Sequence, residues 1–141
     1  MFDELKKYKQ QGRFTFKPTD DLSLVCNAPN DCSGIYLIYA VSKNKTTLIY
    51  IGISGRKDEN GKIKHRKDGL RGRFLTGKTK GVLRRYYWPQ KMKEENIDAL
   101  QIHWYVTHGK LNQDFPRDLE IDLLMKYQAQ YGKLPRWNNV I

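Results

Sequence analysis

Two runs of β-branched and aromatic residues, Gly34 to Val41 (GIYLIYAV) and Thr46 to Ile53 (TTLIYIGI), stand on either side of the polar stretch SKNK. Such side chains suit a pleated, half-buried surface, and a short polar break between two of these runs is a hairpin signal. The rest of the chain is then constrained by what it offers to cover that hairpin. Residues 100–106 (LQIHWYV) alternate, with Ile102, Trp104 and Val106 on one side and Gln101, His103 and Tyr105 on the other, as in a half-buried strand. Pro116 sits where a helix starts, and DLEIDLLMKYQAQYG carries that helix to Gly132. Between the hairpin and this strand, Leu70 and Phe74 share a helical face at i, i+4, and residues 81–87 suggest a second short helix before Pro89. The order hairpin, helices, strand, helix predicts an α+β domain with a small antiparallel sheet of about three strands flanked by helices.

Residues 1–33 read as an N-terminal extension ahead of a domain over 34–141. The extension holds a short helix over 2–11 ended by Gly12, a possible edge strand at Arg13 to Phe16, and a loop rich in Pro, Asp, Asn and Ser. The N-terminus is amphipathic and lacks the apolar core of a secretory signal. The longest apolar stretch is about eight residues against the roughly 20 a membrane span requires, so no membrane association is expected. Cys26 and Cys32 are expected to be free thiols in a reducing, cytoplasmic setting.

Charge is distributed unevenly. Residues 56–93 contain 14 Lys or Arg against Asp58, Glu59 and Asp68, an excess equal to the whole chain's net charge of +11. The remainder is neutral. Clustered Lys and Arg gain from releasing counterions on a polyanion, so nucleic acid is the expected partner. An anionic membrane is a poorer fit, because the block lacks a helix with one strongly apolar face.

Periodicity singles out one acid. Leu123, Leu124, Tyr127 and Tyr131 follow Glu120 at i+3, i+4, i+7 and i+11, so this carboxylate shares the apolar face of its helix. There it must be paired, protonated or bound to a cation. Tyr36, Tyr39 and Tyr50 lie in the apolar hairpin, where phenols usually find a hydrogen-bond partner. His103 and His108 do not share a face as a zinc pair, and no CxxC, P-loop or GxSxG motif occurs.

Gly34-Ile35-Tyr36 followed by Tyr50-Ile51-Gly52, in consecutive strands, resembles the signature of the GIY-YIG nucleases, whose members include homing endonucleases, repair incision subunits and restriction enzymes. Leu70-x-x-Arg73-Phe74 is similar to the segment carrying that family's catalytic arginine, with Arg71 as a competing register. Glu120 with Leu123 and Leu124 resembles its metal-binding glutamate helix, and Pro135-Arg136-Trp137-Asn138 its terminal Pro-x-aromatic-Asn element. The likeness spans residues 34–138. Three departures stand out. The tripeptides are 13 residues apart and the insertion between Gly52 and Arg73 is long. Many members also carry Tyr or His four residues after the arginine, where this chain has Gly77; His65 is the spatial substitute the sequence offers.

The resemblance implies an endonuclease hydrolysing phosphodiester bonds in DNA with one magnesium or manganese ion per site. Glu120 would hold the metal, Arg73 would stabilise transition-state charge, Tyr36 would orient or deprotonate the attacking water, and Tyr50 would hydrogen-bond water or phosphate. A phenol with an ordinary value near 10 is a poor base, so neighbouring cations would have to lower it. Gly34, Gly52 and Asn138 would support the site structurally, Asn138 by tying the C-terminal turn to the sheet. Arg56, Lys64, Arg66, Arg71, Lys78, Arg84 and Arg85 are the expected phosphate-tracking residues of the basic block. Base reading would fall to the domain's own loops, with a homodimer one available arrangement. The alternative is a nucleic-acid-binding module on the same fold with weak or no cleavage.

Overall fold

The computed structural model describes residues 1–140; residue 141, the end of the domain expected over 34–141, lies outside the described residues. The hairpin forms from β2 (Ser33–Ser42) and β3 (Lys45–Ser54), joined at Lys43 and Asn44, which both take positive φ. That two-residue left-handed turn matches the natural twist of paired strands. The alternating segment is β8 (Ala99–His108), which pairs antiparallel with β2 from Ser33↔His108 to Val41↔Ala99.

The sheet has four strands rather than about three, in the order β1-β8-β2-β3. The extra strand is β1 (Gln11–Phe16), which pairs with β8 from Gln11↔Tyr105 to Phe16↔Leu100. Residues 11–16, ahead of the boundary expected at residue 33, thus share one sheet with the strands after it. Phe14, Phe16 and Leu22 are buried in the same core as Tyr36 and Trp104. The expected N-terminal helix shrinks to a 3-10 turn at Asp3–Lys7, and Gly12 lies inside β1. The reason is strand pairing: the strand expected from Arg13 starts two residues earlier, Gln11 and Gly12 pairing with Tyr105 and Trp104 of β8 and taking the end of the expected helix.

Helices cover both faces. On one side α2 (Gly69–Leu75) and α3 (Arg84–Glu94) lay Leu70, Phe74, Trp88 and Met92 over Tyr36, Ile38 and Ile102. On the other, α4 (Pro116–Tyr131) packs Leu123 and Leu124 on Ile35, Leu37 and Ile51, joined by Leu5 and Tyr8. A short α1 (Leu22–Val25) follows β1. Helix α3 runs through Pro89 instead of ending before it. An internal proline costs about 3 kcal/mol, but burying Trp88 and Met92 on the same face returns about 1.5–3 kcal/mol for each large apolar side chain. Two small ribbons complete the chain: β4 (Arg56–Lys57) with β5 (Ile63–Lys64), and β6 (Lys78–Thr79) with β7 (Val82–Leu83). Both are made by the basic block. Among the described residues, no helix is long and apolar enough to cross a membrane. Cys26 and Cys32 are free and buried.

Candidate functional site

The site starts from strand register. Tyr36 pairs with Gly52, and Ile38 with Tyr50, so both tyrosines rise from the same face of the hairpin. A Cβ on Gly52 would stand 2.5 Å from the Tyr36 hydroxyl, so only glycine leaves room for the phenol. Gly34 is equally confined, against the carbonyl of Tyr105. The Tyr36 and Tyr50 rings lie 6.0 Å apart. Phe74 packs edge-on against Tyr36 at 4.7 Å, which fixes α2 and carries Arg73 to the two phenols.

Arg71 and Arg73 are separated by this helix. Arg71 turns away, giving Nη1 to the Cys26 carbonyl at 2.7 Å and Nη2 to that of Ser23 at 2.9 Å. It clamps the end of α1 and has little left for a phosphate, contrary to its expected DNA-binding role. Arg84 departs further. It was expected on the surface, yet it is 2% exposed and donates Nη2–H to the Tyr36 oxygen at 2.8 Å. The sequence signal was present, since Arg84, Trp88 and Met92 follow i, i+4, i+8 spacing and are the three buried residues of α3. Arg66 is half-buried and donates to Thr76 Oγ1. Arg56, Lys64, Lys78 and Arg85 are exposed, the first three on the ribbons.

The place of a side chain at position 77 is closed. A Cβ there would meet the Arg73 carbonyl oxygen at 2.1 Å. Nor does His65 fill the gap. Its Nδ1 lies 2.7 Å from Ser33 Oγ, and it lines a separate cavity with Cys32 and His108.

Glu120 reaches the site from α4. Its side chain is 12% exposed, and Oε1 accepts from Arg117 at 2.5 Å. Asn138 binds the free edge of β3, accepting from the Ile51 N–H at 2.9 Å and donating to the Ile51 carbonyl at 3.0 Å. Trp137 adds a backbone bond to the Ile49 carbonyl. The last segment thereby becomes one wall.

Together these elements enclose an open cavity of about 540 Å³ lined by Tyr50, Arg73, Arg84, Glu120, Trp137 and Asn138. Among the described residues, seven cationic side chains line it against one acid, Glu120; Arg117 and Arg136 are among them, although both lie outside the basic block of the sequence. Tyr36 is fully buried beneath the floor. Burial pushes its ionisation up, but the Arg84 and Arg73 guanidiniums outweigh this and hold the phenol below its ordinary value. Tyr50 is pushed up to about 12, first by the charge of Tyr36 and then by burial. Arg73 is raised, chiefly by Tyr36. Chemically the cavity attracts anions, offers guanidinium donors to an oxyanion, and holds one carboxylate opposite them.

Among the described residues, no group of three or more His, Cys, Asp or Glu could form an all-protein metal cage. A hard divalent cation does not need one, since magnesium commonly takes one or two carboxylates and completes its shell with water and phosphate oxygens. The donor set here, one carboxylate facing an anion-binding wall, fits that pattern. Comparison with family models, curated proteins and solved structures finds no match.

Proposed function

We propose that this chain is a metal-dependent endonuclease of the GIY-YIG type, hydrolysing phosphodiester bonds in DNA at this cavity. The observation that carries the reading is convergence: Tyr50, Arg73 and Glu120, from three separate elements, line one cation-rich cavity with Tyr36 directly beneath it. Arg73 donates to the non-bridging phosphate oxygens, where charge builds in the transition state. Glu120 is the ligand for magnesium or manganese, which when bound supplies Lewis-acid stabilisation of the leaving oxygen. Tyr50 hydrogen-bonds the phosphate or the incoming water. Tyr36, directly beneath the floor, orients or deprotonates the attacking water in this reading. The exposed Arg56, Lys64, Lys78 and Arg85 follow the DNA backbone, Lys78 from the ribbon that lines the cavity.

The test is incubation with plasmid, flap, junction and single-stranded DNA plus magnesium, with chelator as control. Cleavage that chelator abolishes is the expected result. Binding without any cleavage would instead favour the nucleic-acid-binding module.

Two further outcomes follow from the same placement. Arg73→Ala is expected to lower the cleavage rate by about 10²–10³, the cost of losing one transition-state donor. Arg71→Ala, by contrast, should leave chemistry intact and lower stability by about 1.5–3 kcal/mol, since it removes charged hydrogen bonds to two carbonyls. Single-turnover rates and denaturant melts on both variants check this; a reversed pattern would shift the helix register by two residues. DNA binding should also weaken steeply with salt, each neutralised phosphate adding about 0.9 to the log–log slope on duplex DNA. A flat salt dependence would mean that the ribbons face away from the nucleic acid.

A further inference from the structure

Tyr36 and Arg84 each lack what the other supplies. The Tyr36 side chain is wholly buried, and its oxygen accepts from Arg84 Nη2 at 2.8 Å. Two other polar groups face it: Arg73, whose guanidinium only donates, and the Tyr50 phenol of β3, which makes no hydrogen bond with it. Among the described residues, none accepts a hydrogen bond from the Tyr36 hydroxyl. A neutral phenol would therefore hold a buried O–H with nowhere to donate, an arrangement folded proteins rarely tolerate.

Arg84 has the opposite deficit. It is as buried as the core around it, forms no ion pair with a described carboxylate, and leaves Nε and Nη1 without a hydrogen-bond partner. Its guanidinium carbon lies 5.4 Å from the Tyr36 ring centre and 5.3 Å from that of Trp88. It is also the first residue of α3, where the helix dipole is positive and adds to the cost of a cation. Arg73 and Arg66, both from the neighbouring α2 region, bring further like charge; burial, Arg73 and Arg84 together lower Arg66. A buried cation without a counter-charge is strongly disfavoured.

One deprotonation removes both deficits. The phenolic proton leaves to bulk water, the oxygen becomes purely an acceptor, and the guanidinium gains an anion. We infer that Tyr36 rests as a phenolate in the folded protein, with Arg84 as its counter-cation. The direction of its ionisation agrees; Tyr50, which faces Tyr36 from β3, is shifted the opposite way by that same charge and by burial. Tyr8, Tyr39, Tyr105 and Tyr127 are likewise raised by burial, so Tyr36 stands apart from them. Arg84 is thus a positioning residue: it acts through the oxyanion it holds. The ionisation does not depend on the nuclease reading, whereas its use as a base does.

Tyrosinate absorbance and NMR of ring-labelled tyrosine, followed against pH on the folded full chain, test this without DNA. The wild type is expected to show one tyrosinate among its nine tyrosines at neutral pH, absent in Tyr36→Phe. Arg84→Gln should move that midpoint above the ordinary phenol value, and Arg84→Lys should keep it below. If Arg84→Gln fails to fold, the wild-type spectrum compared with the double variant Tyr36→Phe, Arg84→Met still decides. Nine protonated tyrosines in the folded wild type at neutral pH would overturn the inference. Tyrosinate without DNA cleavage would sink the nuclease reading alone, and cleavage with a neutral Tyr36 would sink this one alone.

Discussion

Glu120→Gln is expected to abolish DNA cleavage while DNA binding persists. Glutamine matches glutamate in size, so the seat on α4 beside Leu123 and Leu124 is kept and only the charge is lost. The structural cost is small. The carboxylate's partner is Arg117, whose side chain is 48% exposed, and a pair with an exposed partner contributes at most about 1 kcal/mol. The chemical cost is large, because among the described residues Glu120 is the only acid lining the cavity. Metal-assisted charge stabilisation amounts to several kcal/mol, and at 1.36 kcal/mol per decade its loss slows cleavage by about 10³-fold or more. Binding rests on the surrounding cations and should hold or strengthen slightly when the one negative charge is removed. Single-turnover cleavage with magnesium and equilibrium binding without it are the two measurements. Near-normal turnover by the variant would remove Glu120 from the metal site.

What the sequence makes legible depends on whether a residue's environment is set locally. The hairpin, β8 and α4 could be read because their apolar periods are long and their ends carry a turn, Pro116 and Gly132. The face shared by Glu120 and Leu124 could be read for the same reason. The fourth strand was half-visible: Arg13 to Phe16 looks like an edge strand, but only its long-range pairing with β8, some 90 positions away, shows that it belongs to the core. Arg84 was misplaced by composition. Within a block of 14 cations it looks like one more surface charge, yet its i, i+4 spacing to Trp88 and Met92 already put it inside. Arg117 and Arg136 were invisible as site residues because they reach the cavity from α4 and the C-terminal segment. Arg71 against Arg73 turns on two positions of helical register, which sequence likeness left in competition and the carbonyls of Ser23 and Cys26 separate.

Tyr36→Phe is expected to lower cleavage by about 10²–10⁴, the range of general acid–base catalysis. The ring contacts with Phe74 and Tyr50 survive, since only the oxygen is removed. From sequence alone the folding cost is that of a buried hydrogen bond, about 1 kcal/mol. The structure raises that expectation. Removing the oxygen leaves Arg84 buried with no hydrogen-bond acceptor at all, and breaking one side of a buried charge pair costs about 3–5 kcal/mol. Replacing both members by apolar groups avoids the stranded charge, so adding Arg84→Met should recover most of the lost stability without recovering cleavage. Denaturant melts of the wild type, both single variants and the double variant form the cycle. The pH profile carries the matching sign. Because Tyr36 is held below the ordinary phenol value, the wild-type rate should rise with pH and level off earlier than a free phenol would allow. That limb should vanish in Tyr36→Phe. His65→Ala is the control, as this side chain is bound to Ser33 away from the cavity and its loss should leave the rate unchanged. An active Tyr36→Phe beside an inactive His65→Ala would move the base to the loop and leave the Tyr36–Arg84 pair with a purely structural role.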